Sequence, residues 1–536
     1  DTPAATEAPA ATEAQTASAN ETVPLVISTG TLDGKFSPFF ATSAYDTNVA
    51  ANTQLLLIFL DKNGAPVAGD EYPCLASSYT QEISADKSTT TYKIILKNGV
   101  TFSDGQPVTV KDVLFSFYTL CDPLYDGSTT LYNLKIQGLP EYRLQTSAET
   151  ANEVEAILEA GFTIDENNEM VLPTVDNVTT DKVSAFWAPL AELGPAFAQE
   201  IIDLIVTNYG DDENAASLDP SLTWASFDTP SKQVAYSMAM WNLGILEAAT
   251  MSFKDASGKV WDLNTQDFTA TDAWYSIIKK YNFDVEAAQA ESAGVVNLKD
   301  GVVSAYIDTY GNIEGGVASI SGVTSGTETG DDGQEREYVQ IVMNGVDPTA
   351  IFKMAFYVSP LHYYTEGFEG TLNEFGVSTN DATFMELLKS KNGAPLGAGP
   401  YIFTEYKDNV VSYTAYDGFL LGAPKIKNLR YKEIAGGSEL DAALTGEVHF
   451  SDPSASMDIV NDITAGEGDY AKLAYTLVDN DGYGYIGINA QFFPDWQVRK
   501  AFASTMNTAL CLDYYGELAT VNYRTMTKIQ WAYPEN

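Results

Sequence analysis

Side chains that commonly perform catalysis or hold metals are sparse in this sequence. Its only histidines are His362 and His449, which lie far apart along the chain. Histidine is the usual acid–base group near neutral pH and a frequent metal ligand. The cysteines, Cys74, Cys121 and Cys511, are odd in number and widely spaced, so they predict neither a disulfide framework nor a metal cluster. Because HExxH, GxSxG, P-loop and GxGxxG motifs are also missing, we expect a protein that is not an enzyme and uses no cofactor or metal.

Carboxylates are the abundant reactive group, with 73 aspartates and glutamates. Residues 479–482 (Asp-Asn-Asp-Gly) resemble part of a calcium loop, but Leu477 stands at the first-ligand position and no glutamate closes a loop of about 12 residues. We therefore interpret this stretch as a surface turn. With so many carboxylates, pairs of the glycosidase type arise by chance, and the sequence neither excludes such a pair nor singles one out.

The charge balance restricts the partners of the protein. Against 73 acidic residues the sequence has 29 basic ones, which gives a net charge of −44. Nucleic acids and anionic lipids are bound mainly through lysine and arginine, so we expect no binding to either. No apolar run approaches the roughly 18 residues of a membrane span. The 536 residues, at roughly 100–200 per domain, predict three or four units.

The elements that could position a binding site begin with the stretch Tyr92–Pro123. Apolar and polar residues alternate over Tyr92–Leu96, which is the period of a half-buried strand. Asn98-Gly99 favours a tight turn, and Val100–Phe102 is predicted to be a second short strand.

A helix is predicted to follow this second strand. The Thr109 hydroxyl and the Asp112 carboxylate form a variant capping box that satisfies the first free N–H groups of a helix. Apolar residues then recur at helical spacing and give the helix one apolar face, formed by Val113, Phe117 and Leu120. Strand, turn, strand and capped helix make a complete local unit, and it contains no catalytic group.

This unit closely resembles a segment of the extracellular solute-binding proteins of family 5, the oligopeptide- and dipeptide-binding components of ABC importers. The matching words are LKNGV (96–100), FSDGQPVTVKDVLFS (102–116) and Asp122-Pro123. The resemblance implies an α/β, two-lobed, periplasmic-binding-protein-like (type II) fold with an extra subdomain. Further matches are CLASSY (74–79), APLGAGPY (394–401) and DWQVRKAF (495–502), the last of which predicts a helix.

The resemblance also implies the positions of the ligand-binding residues. In peptide-binding relatives the loop before the first helix faces the cleft, and here that loop contains Ser43, Ala44, Tyr45 and Asp46. The helix itself is predicted over 48–60. Alternatively, Asp46 only caps this helix.

Aromatic side chains further along supply the other candidates. Tyr125 and Tyr132 follow the Asp-Pro pair, where relatives place an aromatic residue against the ligand, and ordinary packing is the alternative. In the second lobe the candidates are Tyr485 and Asn489, within a strand predicted over 483–489, and Trp531 in a later loop.

Residues 1–22 are predicted to be a flexible tether. Alanine, threonine, glutamate and proline dominate this stretch, which therefore cannot bury enough apolar surface to fold. Similar tethers follow the lipidated cysteine of secreted binding proteins in Gram-positive bacteria. We therefore expect such a cysteine immediately before Asp1 in the precursor.

Beyond the tether, the sequence predicts four segments. A stretch with helical periodicity and five of the seven tryptophans interrupts the family pattern, and it predicts an inserted helical subdomain with its own core. The second lobe is expected to be incomplete at its C-terminal end, because relatives continue further. The segments are the first lobe with its extra subdomain (23–148), the insert (149–312), the first lobe resumed to the hinge (313–434) and the second lobe (435–536).

Together these features predict the extracellular binding component of an ABC importer. It would capture oligopeptides by hinge closure and deliver them to the membrane permease. The alternatives are an oligosaccharide receptor of the same fold, or an adhesin or scaffold that uses the insert. We expect a monomeric cell-surface lipoprotein of a Gram-positive-type bacterium, or a periplasmic protein in a Gram-negative one, with a lipid anchor as its membrane contact.

Overall fold

The computed structural model describes residues 23–165, 167–291, 294–330, 332–454, 456–478, 482–490, 493–510, 512 and 518–534. The predicted tether (1–22), Cys511 and most of the 479–482 turn lie outside these residues. The described residues up to Leu139 and from Ile320 onward form one compact unit, the first unit. Pro140–Ser319 form the second unit. Among the described helices, none has the length and apolar character needed to cross a bilayer.

The described strands are short and divide among five sheets. In chain order they are β1 (Leu25–Thr29), β2 (Phe59–Leu60), β3 (Pro66–Val67), β4 (Ala76–Ile83), β5 (Thr89–Leu96), β6 (Thr163–Ile164), β7 (Met170–Val171), β8 (Gly244–Glu247), β9 (Ser252–Asp255), β10 (Val260–Asp262), β11 (Val323–Thr329), β12 (Glu335–Asn344), β13 (Tyr401–Lys407), β14 (Val410–Ala415) and β15 (Asn428–Glu433).

The described α-helices are concentrated in the second unit. In chain order they are α1 (Ala44–Ala51), α2 (Val110–Leu120), α3 (Leu139–Leu144), α4 (Ala148–Ala160), α5 (Thr180–Trp187), α6 (Leu190–Tyr209), α7 (Asp212–Leu218), α8 (Pro230–Met240), α9 (Ala270–Lys280), α10 (Val285–Gln289), α11 (Leu298–Tyr310), α12 (Ala350–Lys353), α13 (Leu361–Tyr364), α14 (Ala382–Ser390), α15 (Glu439–Thr445), α16 (Met457–Ala465) and α17 (Trp496–Thr505).

Two four-stranded sheets organise the first unit. One has the order β1-β15-β14-β13, in which β1 pairs with β15 in parallel and the other pairs are antiparallel. The other is antiparallel, with the order β11-β12-β5-β4. The α/β class predicted from the sequence is confirmed. A small apolar core covers one face of the first sheet and includes Leu32, Phe36, Val49, Val411, Tyr413 and Leu429.

The strand and helix predicted within 92–123 are confirmed. Strand β5 alternates buried and partly buried residues, as its sequence requires. Helix α2 begins at the predicted capping box, in which the Asp112 carboxylate accepts hydrogen bonds from the Thr109 N–H and hydroxyl, both at 2.9 Å. Its other carboxylate oxygen accepts the Leu361 N–H at 3.0 Å. The predicted cap therefore also anchors a segment distant in sequence.

Two predictions near this unit were wrong. Val100–Phe102 is not a strand, because a single bridge joins Thr101 to Pro107 and a tight turn, closed by the Gly105 N–H on the Phe102 carbonyl, follows at once. The helix predicted over 48–60 instead runs from Ala44 to Ala51. Beyond it the Asn52 and Thr53 carbonyls accept the N–H groups of Tyr401 and Gly399. This pairing with a segment distant in sequence ends the helix.

The second unit has a core of its own, built from helices α4 to α11 and a three-stranded sheet of order β10-β9-β8. Apolar residues continue at helical spacing from Val234 to Ile245, but α8 ends at Met240. Asn242 adopts a positive φ of 58°, and Ile245 lies in β8. Asparagine tolerates this left-handed conformation and so reverses the chain between helix and strand.

A buried carboxylate joins three helices of the second unit. Glu153 of α4 accepts hydrogen bonds from the Lys182 ammonium of α5 at 2.6 and 2.7 Å and from the Tyr306 hydroxyl of α11 at 2.7 Å. Glu153 is 8% exposed, so its charge depends on these donors in place of water. The bonds fix how α4, α5 and α11 pack.

We expect Glu153→Ala to lower the free energy of unfolding of the second unit by about 1–3 kcal/mol, because the buried Tyr306 hydroxyl and the partly buried Lys182 ammonium lose their acceptor. Urea unfolding followed by tryptophan fluorescence measures this, since Trp187, Trp224, Trp241, Trp261 and Trp274 all lie in that unit. Glu159→Ala, at an exposed position of the same helix, is the control. An equal loss in both variants would contradict the role of Glu153.

Candidate ligand-binding edge of the first unit

The parallel pair of β1 and β15 brings two distant parts of the chain to one edge. Leu25 aligns with Leu429 and Thr29 with Glu433, so both strands end at the same side of the sheet. The carboxyl ends of parallel strands are a common place for ligand sites in α/β folds, because the loops that leave them converge there. Here the loop 30–43 follows β1 and leads into α1, so Ala44, Tyr45 and Asp46, which were predicted to lie in the loop, form the first turn of that helix because Ser43 caps it. The segment 434–450 follows β15.

Asp46 fixes the shape of the first loop. Its buried carboxylate accepts the Asp33 N–H at 3.1 Å and the Lys35 N–H at 3.3 Å. Burial raises the pKa of Asp46 above its ordinary value, and the two N–H bonds oppose that rise. The helix cap is Ser43, whose hydroxyl accepts the Asp46 N–H at 3.0 Å. Two roles were predicted for Asp46, ligand binding and helix capping. In the structure its carboxylate holds the loop instead of capping the helix.

Tyr45, in the first turn of α1, is the exposed aromatic residue beside this loop. It is 48% exposed, and its ring lies against Gly30, where an added Cβ would come within 2.5 Å of the ring carbons. Ala44, beside it, is also exposed. Because Gly30 immediately follows β1, the Tyr45 ring is placed at the carboxyl end of that strand.

A tyrosine–carboxylate pair that the sequence analysis did not identify closes the other side of this edge. The Tyr406 hydroxyl donates a hydrogen bond to the Glu433 carboxylate, and the Tyr406 ring packs edge-on against Phe36 at 5.4 Å. The bond to Glu433, followed by burial, raises the pKa of Tyr406 to about 12, so the hydroxyl stays neutral and donates at physiological pH. Tyr406 and Glu433 are 27 residues apart, and only the pairing of β13, β14 and β15 makes them neighbours.

A shallow cavity of about 290 Å³ lies beside Glu433. Its polar lining is mostly acidic, with Glu433, Asp441 and Glu447, and the hydroxyls of Ser438 and Thr445 face it as well. Lys432 forms an ion pair with Glu447 at 2.8 Å. The cavity therefore presents hydrogen-bond acceptors and favours a ligand with donors or positive charge.

The segment that leaves this edge returns to β1, where Phe450 forms a single parallel bridge with Ile27. The His449 N–H donates to the Val26 carbonyl at 2.8 Å, and the Ser28 N–H donates to the Phe450 carbonyl at 2.9 Å. Nδ1 of His449 accepts the Val26 N–H at 3.0 Å, so this histidine is used in the backbone pairing of β1. The other histidine, His362, is paired with Asp104 at 2.6 Å.

The two tyrosines predicted after the Asp-Pro pair lie in the first unit, but differ in exposure. Tyr125 is 3% exposed, and its hydroxyl donates to the Phe39 carbonyl at 2.5 Å, which matches the packing alternative. Tyr132 is half-buried, with its ring edge-on to Tyr125 at 6.4 Å. Tyr125 also contacts Phe40, three residues before Ser43. The pair Tyr125 and Tyr132 therefore borders the loop 30–43, which leads to Tyr45.

The remaining predicted site residues lie elsewhere in the first unit. Trp531 is 54% exposed, stacks on Phe352 at 6.1 Å and donates its backbone N–H to the Asn63 carbonyl at 3.0 Å. Tyr485 is 82% exposed, and Asn489 is exposed as well.

The strand predicted over 483–489 was wrong. A strand forms only where a neighbour accepts its backbone hydrogen bonds, and within the described residues no strand pairs with this stretch. The predicted helix near Asp495 does form, as α17, with Asp495 as its N-cap. Its apolar face is exposed, at 40% for Val498 and 43% for Phe502.

The chemistry of the edge is that of binding. It offers backbone groups, an exposed tyrosine ring, a tyrosine–carboxylate pair and an acidic cavity. Within the described part of the chain, no three His, Cys, Asp or Glu side chains come together as a metal site.

Comparison with known proteins identifies the family. The family of bacterial extracellular solute-binding proteins, family 5, matches residues 71–192 and 260–536. Since these residues are well over half of the chain, the protein belongs to this family, and the predicted resemblance is confirmed. The unmatched stretch between them, 193–259, lies inside the predicted insert. The family consists of binding proteins.

Solved structures with some similarity include three solute-binding proteins. The oligopeptide-binding protein AppA from Bacillus subtilis has a TM-score of 0.42 and 12% identity over 96% of this chain and 60% of its own. MoaA from A. tumefaciens R10 has a TM-score of 0.39 and 13% identity over 92% of this chain and 57% of its own. The ABC transporter substrate-binding protein CtaP from Listeria monocytogenes has a TM-score of 0.32 and 14% identity over 79% of this chain and 43% of its own. The chain thus spans 43–60% of the length of these proteins. No curated protein matches the chain in sequence.

We expect Asp46→Ala to lower the free energy of unfolding of the first unit by about 1–3 kcal/mol, because two backbone N–H groups lose their buried acceptor. Urea unfolding followed by circular dichroism measures the change. Asp33→Ala is the matched control, since it removes a carboxylate from an exposed side chain of the same loop. If both variants lose the same stability, the loop does not depend on the Asp46 carboxylate.

Proposed function

We propose that the protein is the extracellular binding component of an ABC importer, that it captures oligopeptides between two lobes, and that it delivers them to a membrane permease. The observation that carries this proposal is the family match over residues 71–192 and 260–536. A binding protein of this kind is not an enzyme and needs no cofactor.

The edge formed by β1 and β15 supplies contacts suited to an extended ligand. A peptide backbone is bound by unpaired N–H and C=O groups, and its varied side chains are best accepted by flat aromatic surfaces. The loop 30–35 follows a strand end, and Tyr45 places an exposed ring beside it. The carboxylates of Glu433 and Asp441 favour a positively charged group such as a peptide amine.

Closure of the lobes would occur about the segment 434–450. It begins at Ile434, whose N–H donates to the Thr29 carbonyl at 2.8 Å, and it returns to β1 at Phe450. Between these fixed points Gly436 and Gly437 are exposed, and Gly437 adopts a φ of 85°. Glycines absorb backbone rotation at low cost. A ligand that touches both lobes only in the closed form shifts the equilibrium to that form.

The segment assignments and the cellular location are part of the same proposal. We assign 23–148 and 313–434 to the first lobe, 435–536 to the second lobe and 149–312 to an insert. The composition of 1–22 supports a tether to a lipid anchor at the cell surface. The protein would act as a monomer there.

A thermal-shift screen against peptide and glycan mixtures tests the ligand class. Ligand that binds only the folded protein stabilises it by RT ln(1 + [L]/Kd), so the melting temperature should rise with peptide concentration. A rise with peptides and none with glycans is the expected result. A response to glycans alone would overturn the peptide assignment, and no response to either would favour an adhesin or scaffold.

Two tyrosine variants separate binding from packing. We expect Tyr45→Ala to weaken peptide affinity about fivefold or more with little change in stability, since truncating an exposed aromatic contact removes binding energy without opening a core. Tyr125→Phe should leave affinity unchanged and lower stability by about 1 kcal/mol, because a buried hydrogen bond is lost. Calorimetric titration and thermal melts measure the two effects. Equal affinities in wild type and Tyr45→Ala would remove Tyr45 from the site.

A further inference from the structure

The second unit contains a cavity of about 180 Å³, in a part of the protein that the proposed function does not use. Three elements line it. The β9–β10 hairpin contributes Lys259 from its turn and Trp261 from β10. Helix α9 contributes Tyr275 and Lys279, and the turn between β6 and β7 contributes Asn168. The volume is below the roughly 300–1,000 Å³ typical of drug-sized sites, so it suits one small ring or acid.

One carboxylate holds the turn that forms a wall of this cavity. Asp255 is 6% exposed, and it accepts the Ser257 N–H at 3.0 Å and the Lys259 N–H at 2.9 Å on one oxygen. Its other oxygen accepts the Trp261 indole N–H at 2.9 Å. The Ser276 hydroxyl of α9 accepts the Ala256 N–H at 2.9 Å and joins the turn to the helix. The wall is therefore fixed before any ligand arrives.

The second carboxylate of the cavity is also bound within the protein. One oxygen of Asp272 accepts the Thr269 N–H at 3.0 Å and the Thr269 hydroxyl at 2.7 Å, as the capping box of α9. Both acids of the lining thus have structural donors. This reduces their demand for a cationic ligand.

The two lysines of the cavity are held by neutral groups. The Lys279 ammonium donates to the Asn168 side-chain oxygen at 2.6 Å, and the Lys259 ammonium lies 3.4 Å from the centre of the Trp261 ring. In the described part of the chain, no carboxylate oxygen lies within ion-pair distance of either ammonium.

Acidic residues far outnumber basic ones in the second unit, and Lys254, Lys259 and Lys279 form no ion pair among its described residues. Four other lysines of the unit do form ion pairs, namely Lys182 with Glu153, Lys232 with Asp228, Lys280 with Glu291 and Lys299 with Glu286. An ammonium on an acidic surface is stabilised electrostatically when it pairs with a carboxylate. Two such groups that face one cavity can instead pair with the carboxylate of a ligand.

We propose that this cavity binds a small carboxylate anion, with a hydroxylated ring of the uronic acid type as its chemical class. The ligand carboxylate accepts charge-assisted hydrogen bonds from Lys259 and Lys279. The ring hydroxyls donate to the Ser257 hydroxyl oxygen, whose own proton is donated to Asp255 at 2.7 Å, and they bond to the Tyr275 hydroxyl. The apolar face of the ligand ring packs against the Tyr275 ring, because Lys259 covers the Trp261 ring. The site is separate from the peptide edge, so the two proposals stand or fall independently.

Calorimetric titration of the whole protein with D-glucuronate, D-glucose and inorganic phosphate tests the proposal. Glucose has the same ring and lacks the carboxylate, so we expect glucuronate to bind at least about tenfold more tightly, a difference of about 1.4 kcal/mol. Titration with phosphate shows whether the cavity binds any anion or specifically a hydroxylated carboxylic acid. Glucuronate binding no tighter than glucose, binding of phosphate alone, or no binding of any probe would each overturn the proposal.

Variants locate the binding. Lys259→Gln and Lys279→Gln shorten the side chain by one atom, keep a polar end and remove the charge, and each should weaken glucuronate binding about fivefold or more. Lys299→Gln removes the same charge from the same unit outside the cavity, and it should bind glucuronate like the wild type. Circular dichroism of each variant verifies the fold. If Lys299→Gln loses as much affinity as the cavity variants, or if the cavity variants lose none, the assignment is wrong.

Discussion

The first unit depends on the parallel pairing of β1 with β15. Leu25 and its partner Leu429 are 404 residues apart in the sequence, and five residues of β1 align with five of β15. Closing so long a loop costs conformational entropy before any contact is gained, so this pairing is expected to form late in folding. Once it has formed, the loop 30–43 with the first turn of α1, the Tyr406–Glu433 pair and the segment 434–450 meet at one edge. No single stretch of sequence contains that edge.

Buried carboxylates in this protein are neutralised by backbone N–H groups more than by lysine or arginine. Asp46 accepts two of them, Asp112 accepts those of Thr109 and Leu361, and Asp122 accepts those of Leu124 and Asn380. With 73 acidic and 29 basic residues, cations are too few to pair with every acid. Hydrogen bonds from N–H groups stabilise the charged carboxylate without a counter-ion. Each of these aspartates also ties a loop to a helix or to another segment. Some of the acidic residues therefore stabilise the fold.

Local signals made part of the fold predictable. The alternation in β5 and the Thr109–Asp112 cap of α2 are read within a few residues, and both elements form where expected. The Tyr483–Asn489 strand failed because a strand depends on a partner that the local sequence does not contain.

The candidate site was harder to predict for the same reason. Tyr125 follows the Asp-Pro pair and Tyr45 lies in the first turn of α1, and the same residue type is 3% exposed at the first position and 48% exposed at the second. Their difference depends on Phe39, Phe40 and Gly30, which pack against them from other segments. Tyr406 and Glu433 give no joint signal in the sequence, because a β-bulge between Phe403 and Glu405 sets the register that brings them together.

The points where the chain leaves and re-enters the first unit are neighbours. The Gly322 N–H donates to the Gln137 carbonyl at 2.7 Å, and Gln137 and Gly322 both pair with Val342 of β12. An added Cβ on Gly138 would come within 2.5 Å of the Ser321 backbone, so the two strands of chain lie side by side. Polypeptide inserted between such adjacent points leaves the host pairing intact whatever its length. The second unit is thus a modular cassette, which evolution could gain, lose or exchange at this junction while the host sheet stays unchanged.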